Sequence, residues 1–159
     1  MKAFSQAISV ACLLALTTAC AHTNIEGTPV ADTTENREIF DFLVQVREAM
    51  QNRDAPGLIA LISPKYFEDM GTPTNKDDYG YQHLIDVVIP KSLEITEELH
   101  VSFEVHEIGI DGENAWADIR YNSRAKLALP SGKLWDTHKE FNRIQLNRES
   151  GKWMVIAGL

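Results

Sequence analysis

The side chains able to move protons or hold ligands fall into a few groups. Tyr66, Tyr79, Tyr81, His83 and Asp86 lie close together, and Tyr121, Asp136, His138 and Asn142 follow later in the chain. A phenol can donate to an oxygen that is gaining charge, and an imidazole or carboxylate whose pKa is moved toward neutrality can transfer a proton. His100, Glu104 and His106 share strand parity, which offers ligands to a metal ion. Two-residue steps on a strand are about 6.7 Å apart, so only Glu104 and His106 could share an ion, and a third ligand must come from elsewhere. An exposed sheet face is the better reading of these three, and neither a metal nor another cofactor is expected. The acids Glu68, Asp69, Asp77 and Asp78 lack the alternating ligands and central glycine of a calcium loop and read as a solvated turn. Serine-triad chemistry has no Gly-x-Ser-x-Gly elbow to rest on, and there is no glycine-rich phosphate loop.

These residues sit in a chain of 159 residues with 44% hydrophobic and 24% charged content, an ordinary globular mix that excludes disorder and a multi-span membrane protein. Its net charge of −8 repels phosphate backbones, so nucleic acid is not an expected partner. The first helix is predicted from a cap at Asp32 or Thr34, with Asp32 and Glu35 spaced as a capping box, and from Ile39, Leu43, Val46 and Met50 at three- and four-residue steps. After Asn52-Arg53, Asp54 caps a short second helix with Leu58, Ile59, Leu61 and Ile62. Residues 65–81 read as an ordered loop. Leu84, Val87, Val88 and Ile89 then form a third helix, which Pro90 kinks or divides.

From Leu99 the period changes to two. Val101, Phe103 and Val105 alternate with polar residues in a strand reaching Ile110, and Asp111-Gly112 marks a hairpin turn. In the next strand Ala115, Ala117, Ile119 and Tyr121 face one way and Trp116, Asp118, Arg120 and Asn122 the other. A long strand from Leu134 to Arg148 and a closing strand from Trp153 to Ala157 complete an antiparallel meander. Helices followed by such a meander define an α+β order. Trp153 is assigned to the core, whereas Trp116 and Trp135 are interface or pocket candidates.

The N-terminus carries an address. Lys2 precedes the apolar stretch Ala7–Leu16, which is too short to span a bilayer and has the form of an export signal over residues 1–19. Leu16-Thr17-Thr18-Ala19-Cys20 resembles the lipobox of bacterial lipoproteins, although the large aliphatic residue stands one position further from the cysteine than usual. Both cysteines, Cys12 and Cys20, lie in or beside this signal, so no disulfide can form within the domain and Cys20 is free to be lipidated. The alternative is ordinary cleavage after Ala21, releasing a soluble protein that begins at His22. Residues 20–34 are expected to be the lipidated cysteine and a flexible polar tether, and residues 35–159 the folded domain. Ala21 and His22 are not the aspartate associated with inner-membrane retention, so the lipobox resemblance implies anchoring in the bacterial envelope, at the outer membrane facing the periplasm.

The element order, Ala115-Trp116-Ala117 after its Asp-Gly turn, and the closing run Arg148–Val155 resemble the nuclear transport factor 2-like superfamily, which includes ketosteroid isomerases and polyketide cyclases. The resemblance covers nearly all of residues 34–159. It implies a cone: a curved antiparallel sheet wrapped around the N-terminal helices, with a pocket at the wide end. Enzymes of this fold place Asp, His and Tyr inside the cone, which makes Tyr66, Tyr79, Tyr81, His83, Asp86, Tyr121 and His138 the pocket candidates. No catalytic pair of the family matches this chain residue by residue, and none is assigned. The competing expectation is that the tyrosines cap the pocket rim and the histidines are solvated. Three functions are therefore open: a tethered module binding a small apolar ligand or a protein partner, an isomerase, dehydratase or cyclase using Asp86, His83 or His138 with a tyrosine, and a structural accessory of an envelope complex. Related domains pair through the sheet, so a homodimer through that surface is a further expectation.

Overall fold

The computed structural model describes residues 23–71 and 73–159; the export signal and Cys20 lie outside the described residues. The helical part comprises α1 (Thr34–Gln51), α2 (Ala55–Ile59), α3 (Tyr81–His83), a π-helical turn (Leu84–Val88) and α4 (Ile89–Ile95). A two-residue ribbon, β1 (Phe67–Glu68) with β2 (Tyr79–Gly80), lies within the segment expected to be a loop. Four antiparallel strands follow in meander order, β3 (Thr96–Asp111), β4 (Asn114–Leu129), β5 (Gly132–Glu149) and β6 (Lys152–Ala157). The architecture is the expected α+β cone. No helix among the described residues is long and apolar enough to cross a membrane.

Helix α1 forms because its apolar residues recur on one stripe. Ile39, Phe42, Leu43 and Val46 are buried, and each such side chain contributes roughly 1.5–3 kcal/mol when fully removed from water. Its N-cap is Thr33, whose Oγ1 accepts from the Asn36 amide at 3.1 Å. The expected capping box at Asp32 does not form, because the Asp32 carboxylate is held by the Arg37 guanidinium. Asp54 caps α2 as expected, accepting from the Gly57 amide at 3.0 Å.

Strand pairing sets which residues look inward. Opposed residues of an antiparallel pair face the same side, so Val105 with Ile119 and Phe103 with Tyr121 line the concave face, joined by Ile144 and Leu146 of β5. A bulge between Val105 and Glu107 shifts the parity of β3, and the inward set resumes at Ile108 and Ile110. Trp153 and Val155 of β6 complete the core, with Trp153 buried as expected.

One expectation fails at the N-terminal end. Residues 20–34 are expected to be a flexible tether, yet Ile25 and Val30 are 1% and 6% exposed and belong to the core. The turn between them is closed by Ile25 N–H to Val30 O at 2.9 Å and Asp32 N–H to Thr23 O at 2.7 Å. Gly27, at φ 76°, supplies the left-handed residue the turn needs. Two buried aliphatic side chains tie this polar segment to the core, so among the described residues packed structure includes Ile25 and Val30, ahead of Glu35.

Candidate functional site

The concave face meets the helices around a cavity of about 240 Å³. Its walls come from Ala49 and Met50 at the end of α1, Ala55 and Leu58 of α2, Leu84 and Val88 of the π turn, Leu93 of α4, and Leu99 of β3. Pro90 explains how the third helix presents these residues. A proline lacks the amide proton and crowds the carbonyl four residues back. Here the preceding turn is widened, and the Ile89 N–H reaches the Leu84 carbonyl five residues earlier. Leu84 and Ile89 are therefore both buried although five positions apart, while Asp86 and Val87 between them are exposed.

Two charged residues reach the cavity rim. Arg53, in the left-handed conformation at φ 56°, ends α1. Its guanidinium donates to the Leu93 carbonyl at 2.7 Å and the Glu97 carbonyl at 3.3 Å, tying the α1–α2 corner to the open C-terminal end of α4. The other is Asp54, committed to its cap. A smaller cavity of about 160 Å³ adjoins, sharing Met50 and Leu159 as walls and lined further by Phe103, Ile119, Tyr121, Glu140 and Asn142.

The seven pocket candidates divide into two sets, and none lines the larger cavity. Tyr66 is 2% exposed; its hydroxyl donates to Glu68 Oε2 at 2.9 Å and accepts from the Leu159 amide at 3.3 Å. Glu68 also accepts from the Gly158 amide at 2.8 Å. Burial, then the nearby Glu68 charge, pushes the Tyr66 phenol well above its ordinary range. Tyr79 is pushed up for the same two reasons, and its ring stands 6.3 Å from Tyr66 and 5.7 Å from His83. Tyr81 is half-buried, His83 is exposed, and Asp86 is exposed and accepts from Gln82 Nε2 at 2.7 Å. Leu84, next to His83, and Ile89 take the inward face of this helical segment, and His83 and Asp86 lie off it.

Tyr121 and His138 form the second set. Tyr121 is half-buried in the smaller cavity, with its phenol pushed up by burial, and its ring lies 6.3 Å from His138. His138 is mostly exposed and pairs with Glu140 at 3.0 Å. Among the described residues no ring pair or hydrogen bond joins this set to Tyr66, Tyr79 or His83. Asn142, whose Nδ2 donates to the Gly158 carbonyl at 3.0 Å, lies between Glu140 and Ile144 on β5.

The remaining candidates lie on the outer sheet face. His100 stacks on Trp135 at 6.2 Å and His106 tilts against Phe141 at 5.6 Å. Among the described residues no group of three His, Cys, Asp or Glu side chains is arranged to hold a metal. The Arg124 guanidinium lies 4.4 Å from the Trp135 ring, and that of Arg143 lies 4.0 Å from the Trp116 ring. Neither tryptophan lines the cavity. Sequence reasoning missed Arg53, Met50, Leu58 and Leu93 as site residues; the apolar three were visible only as parts of helical stripes, and Arg53 only as an interruption between helices.

No protein-family model matches the sequence, and no curated protein does. Solved structures do. A conserved protein from Planctomyces limnophilus superposes with a TM-score of 0.67 at 15% identity, covering 78% of this chain and 92% of its own. A ketosteroid isomerase-like protein from Erwinia carotovora atroseptica gives 0.60 at 15% identity, covering 79% and 94%. A nuclear transport factor 2-like protein of unknown function from Pseudomonas putida gives 0.59 at 16% identity, covering 78% and 83%.

Proposed function

This chain has the nuclear transport factor 2-like fold, and on that premise we propose that its cone is a binding module for a small apolar ligand, held at the envelope membrane through a lipid on Cys20. The observation that carries the reading is the character of the larger cavity. Its walls are mostly aliphatic and methionine side chains, with Ser92 and Thr96 the polar uncharged residues among them, and the two charged groups at its rim, Arg53 and Asp54, are already committed to backbone partners. A proton-transfer site needs a titratable group aimed at the substrate; the groups chosen for that role, His83, Asp86 and His138, stand in solvent. A cavity of ~150 Å³ with apolar walls takes benzene, so one of about 240 Å³ suits a ligand of roughly ten carbons. The envelope address rests on the lipobox resemblance and on the absence of any other cysteine after the signal.

Calorimetric titration with linear alcohols from hexanol to dodecanol tests the binding. Each buried methylene contributes about 0.8 kcal/mol, so affinity should rise about fourfold per carbon until the cavity is filled and then level off. Val88→Phe, which projects a ring into the same space, should abolish the rise. Absence of saturable binding across the series would end the reading. Mass spectrometry of the natively extracted protein reads the anchor separately, as an acyl mass on Cys20.

A further inference from the structure

The smaller cavity, about 160 Å³, adjoins both the larger one and an open groove beside β5. It shares Met50 and Leu159 with the first, and Glu140 and Asn142 with the second. Glu140 is the charged side chain among its described lining residues. One carboxylate oxygen, Oε2, pairs with His138 Nε2 at 3.0 Å, whereas Oε1 has no hydrogen-bond partner among the described residues. Strand register sets Phe103, Tyr121 and Glu140 in one row across β3, β4 and β5, on the concave face. The Phe103 and Tyr121 rings lie 5.9 Å apart and are tilted by 49°. Aromatic rings beside a carboxylate are the surroundings that recognise an ammonium group, because the π faces attract a cation and the carboxylate accepts a charge-assisted hydrogen bond. The net charge of −8 adds a field of the same preference.

We propose, on the premise that the cone binds a small apolar ligand, that this ligand is a primary alkylamine. Its chain fills the larger cavity, and its ammonium is held by Glu140 between Phe103 and Tyr121 in the smaller one. Met50 stands in the wall that the two cavities share, and its unbranched side chain, with three rotatable bonds, lets the alkyl chain pass. The Glu140 side chain is 46% exposed, so an ammonium beside it keeps part of its hydration and the cost of removing it from water stays small. The other cavity rim offers no competing head-group site. The Arg53 guanidinium is spent on the Leu93 and Glu97 carbonyls, and Asp54 on the Gly57 amide.

The test is calorimetric titration of the full chain with octanol, octylamine and octanoate, three head groups on one tail. Octylamine is protonated at neutral pH, and it should bind about tenfold more tightly than octanol. In Glu140→Gln that ratio should fall to about one. Glu104→Gln removes the same charge from the outer sheet face, where Glu104 pairs with Arg120, and should leave the ratio as in the parent. Val88→Phe, which fills the larger cavity, should abolish octylamine binding, since the tail and the head belong to one ligand. Saturable octanol binding with octylamine no tighter, or with octanoate tighter than octylamine, overturns the ammonium site and leaves the apolar cavity standing. Octylamine binding that survives Val88→Phe, or that Glu104→Gln weakens as much as Glu140→Gln does, reports attraction to the acidic surface and also overturns it. Failure of all three ligands to bind overturns both readings.

Discussion

Tyr66 shows what a buried proton-bearing group does in this protein. Its hydroxyl is shared between the Glu68 carboxylate and the Leu159 amide, and Glu68 in turn holds the Gly158 amide. The phenol fastens the segment after β6 to the ribbon strand β1. It is far from free to serve as an acid. Removing the hydroxyl in Tyr66→Phe leaves Glu68 and the Leu159 amide short of a partner, at a cost of about 1–2 kcal/mol at neutral pH. The raised phenol pKa also gives a pH signature. An unfolded tyrosine ionises near 10, so the contribution of Tyr66 is fully present below that value. It is lost as pH climbs past 10 toward the higher folded value. Urea unfolding of the wild type should therefore show stability falling above pH 10, and Tyr66→Phe should flatten that limb while starting lower. Tyr79 and Tyr121, shifted the same way, will leave a residual slope. An unchanged alkaline limb in Tyr66→Phe would contradict the assignment.

Between strands, the contact of Gly109 with Trp116 governs the outer sheet face. The two are register partners across β3 and β4, and a Cβ at residue 109 would stand 2.3 Å from the indole. Gly109→Ala must displace that ring and the Arg143 guanidinium lying over it, an overpacking cost of about 1–3 kcal/mol. The measurement is urea unfolding read by tryptophan fluorescence, and an alanine variant of parental stability would show that the ring is not seated there. The role of Gly109 is invisible in the sequence, where the residue merely continues an alternating strand. What could be read were the periods: the α1 stripe, the inward set Ala115, Ala117, Ile119 and Tyr121, and the burial of Trp153 all follow from side-chain alternation. The bulge after Val105 could not be read, because an extra residue alters parity without altering composition. Nor could the π turn. Pro90 announces a break, but whether the helix bends, ends or widens depends on which side chains can be buried afterwards. The helix face that buries Leu84 and Ile89 leaves Asp86 and His83 in solvent, which accounts for much of the difference between the expected and observed site.

Across the whole chain, the placement of Ile25 and Val30 extends the fold on the N-terminal side of α1. With Ile25 and Val30 in the core, packed structure reaches back at least to Ile25 among the described residues. The N-terminal turn is then part of the folding unit, and cutting into it should be felt by the core. Ile25 is 1% exposed, and Ile25→Ala should cost about 2–4 kcal/mol in urea unfolding, as for other buried aliphatic truncations. A local readout separates this from a general loss of stability. Glu26 is exposed, yet the backbone on either side of it is tied by the Ile25–Val30 and Thr28–Ile25 hydrogen bonds. Glutamyl endopeptidase should cut slowly there in the parent chain and quickly in Ile25→Ala, under conditions where cleavage within the sheet is still slow. Equal cleavage at Glu26 in both chains, with unchanged unfolding, would return the segment to the role of a loose tether and move the start of the domain back toward Glu35.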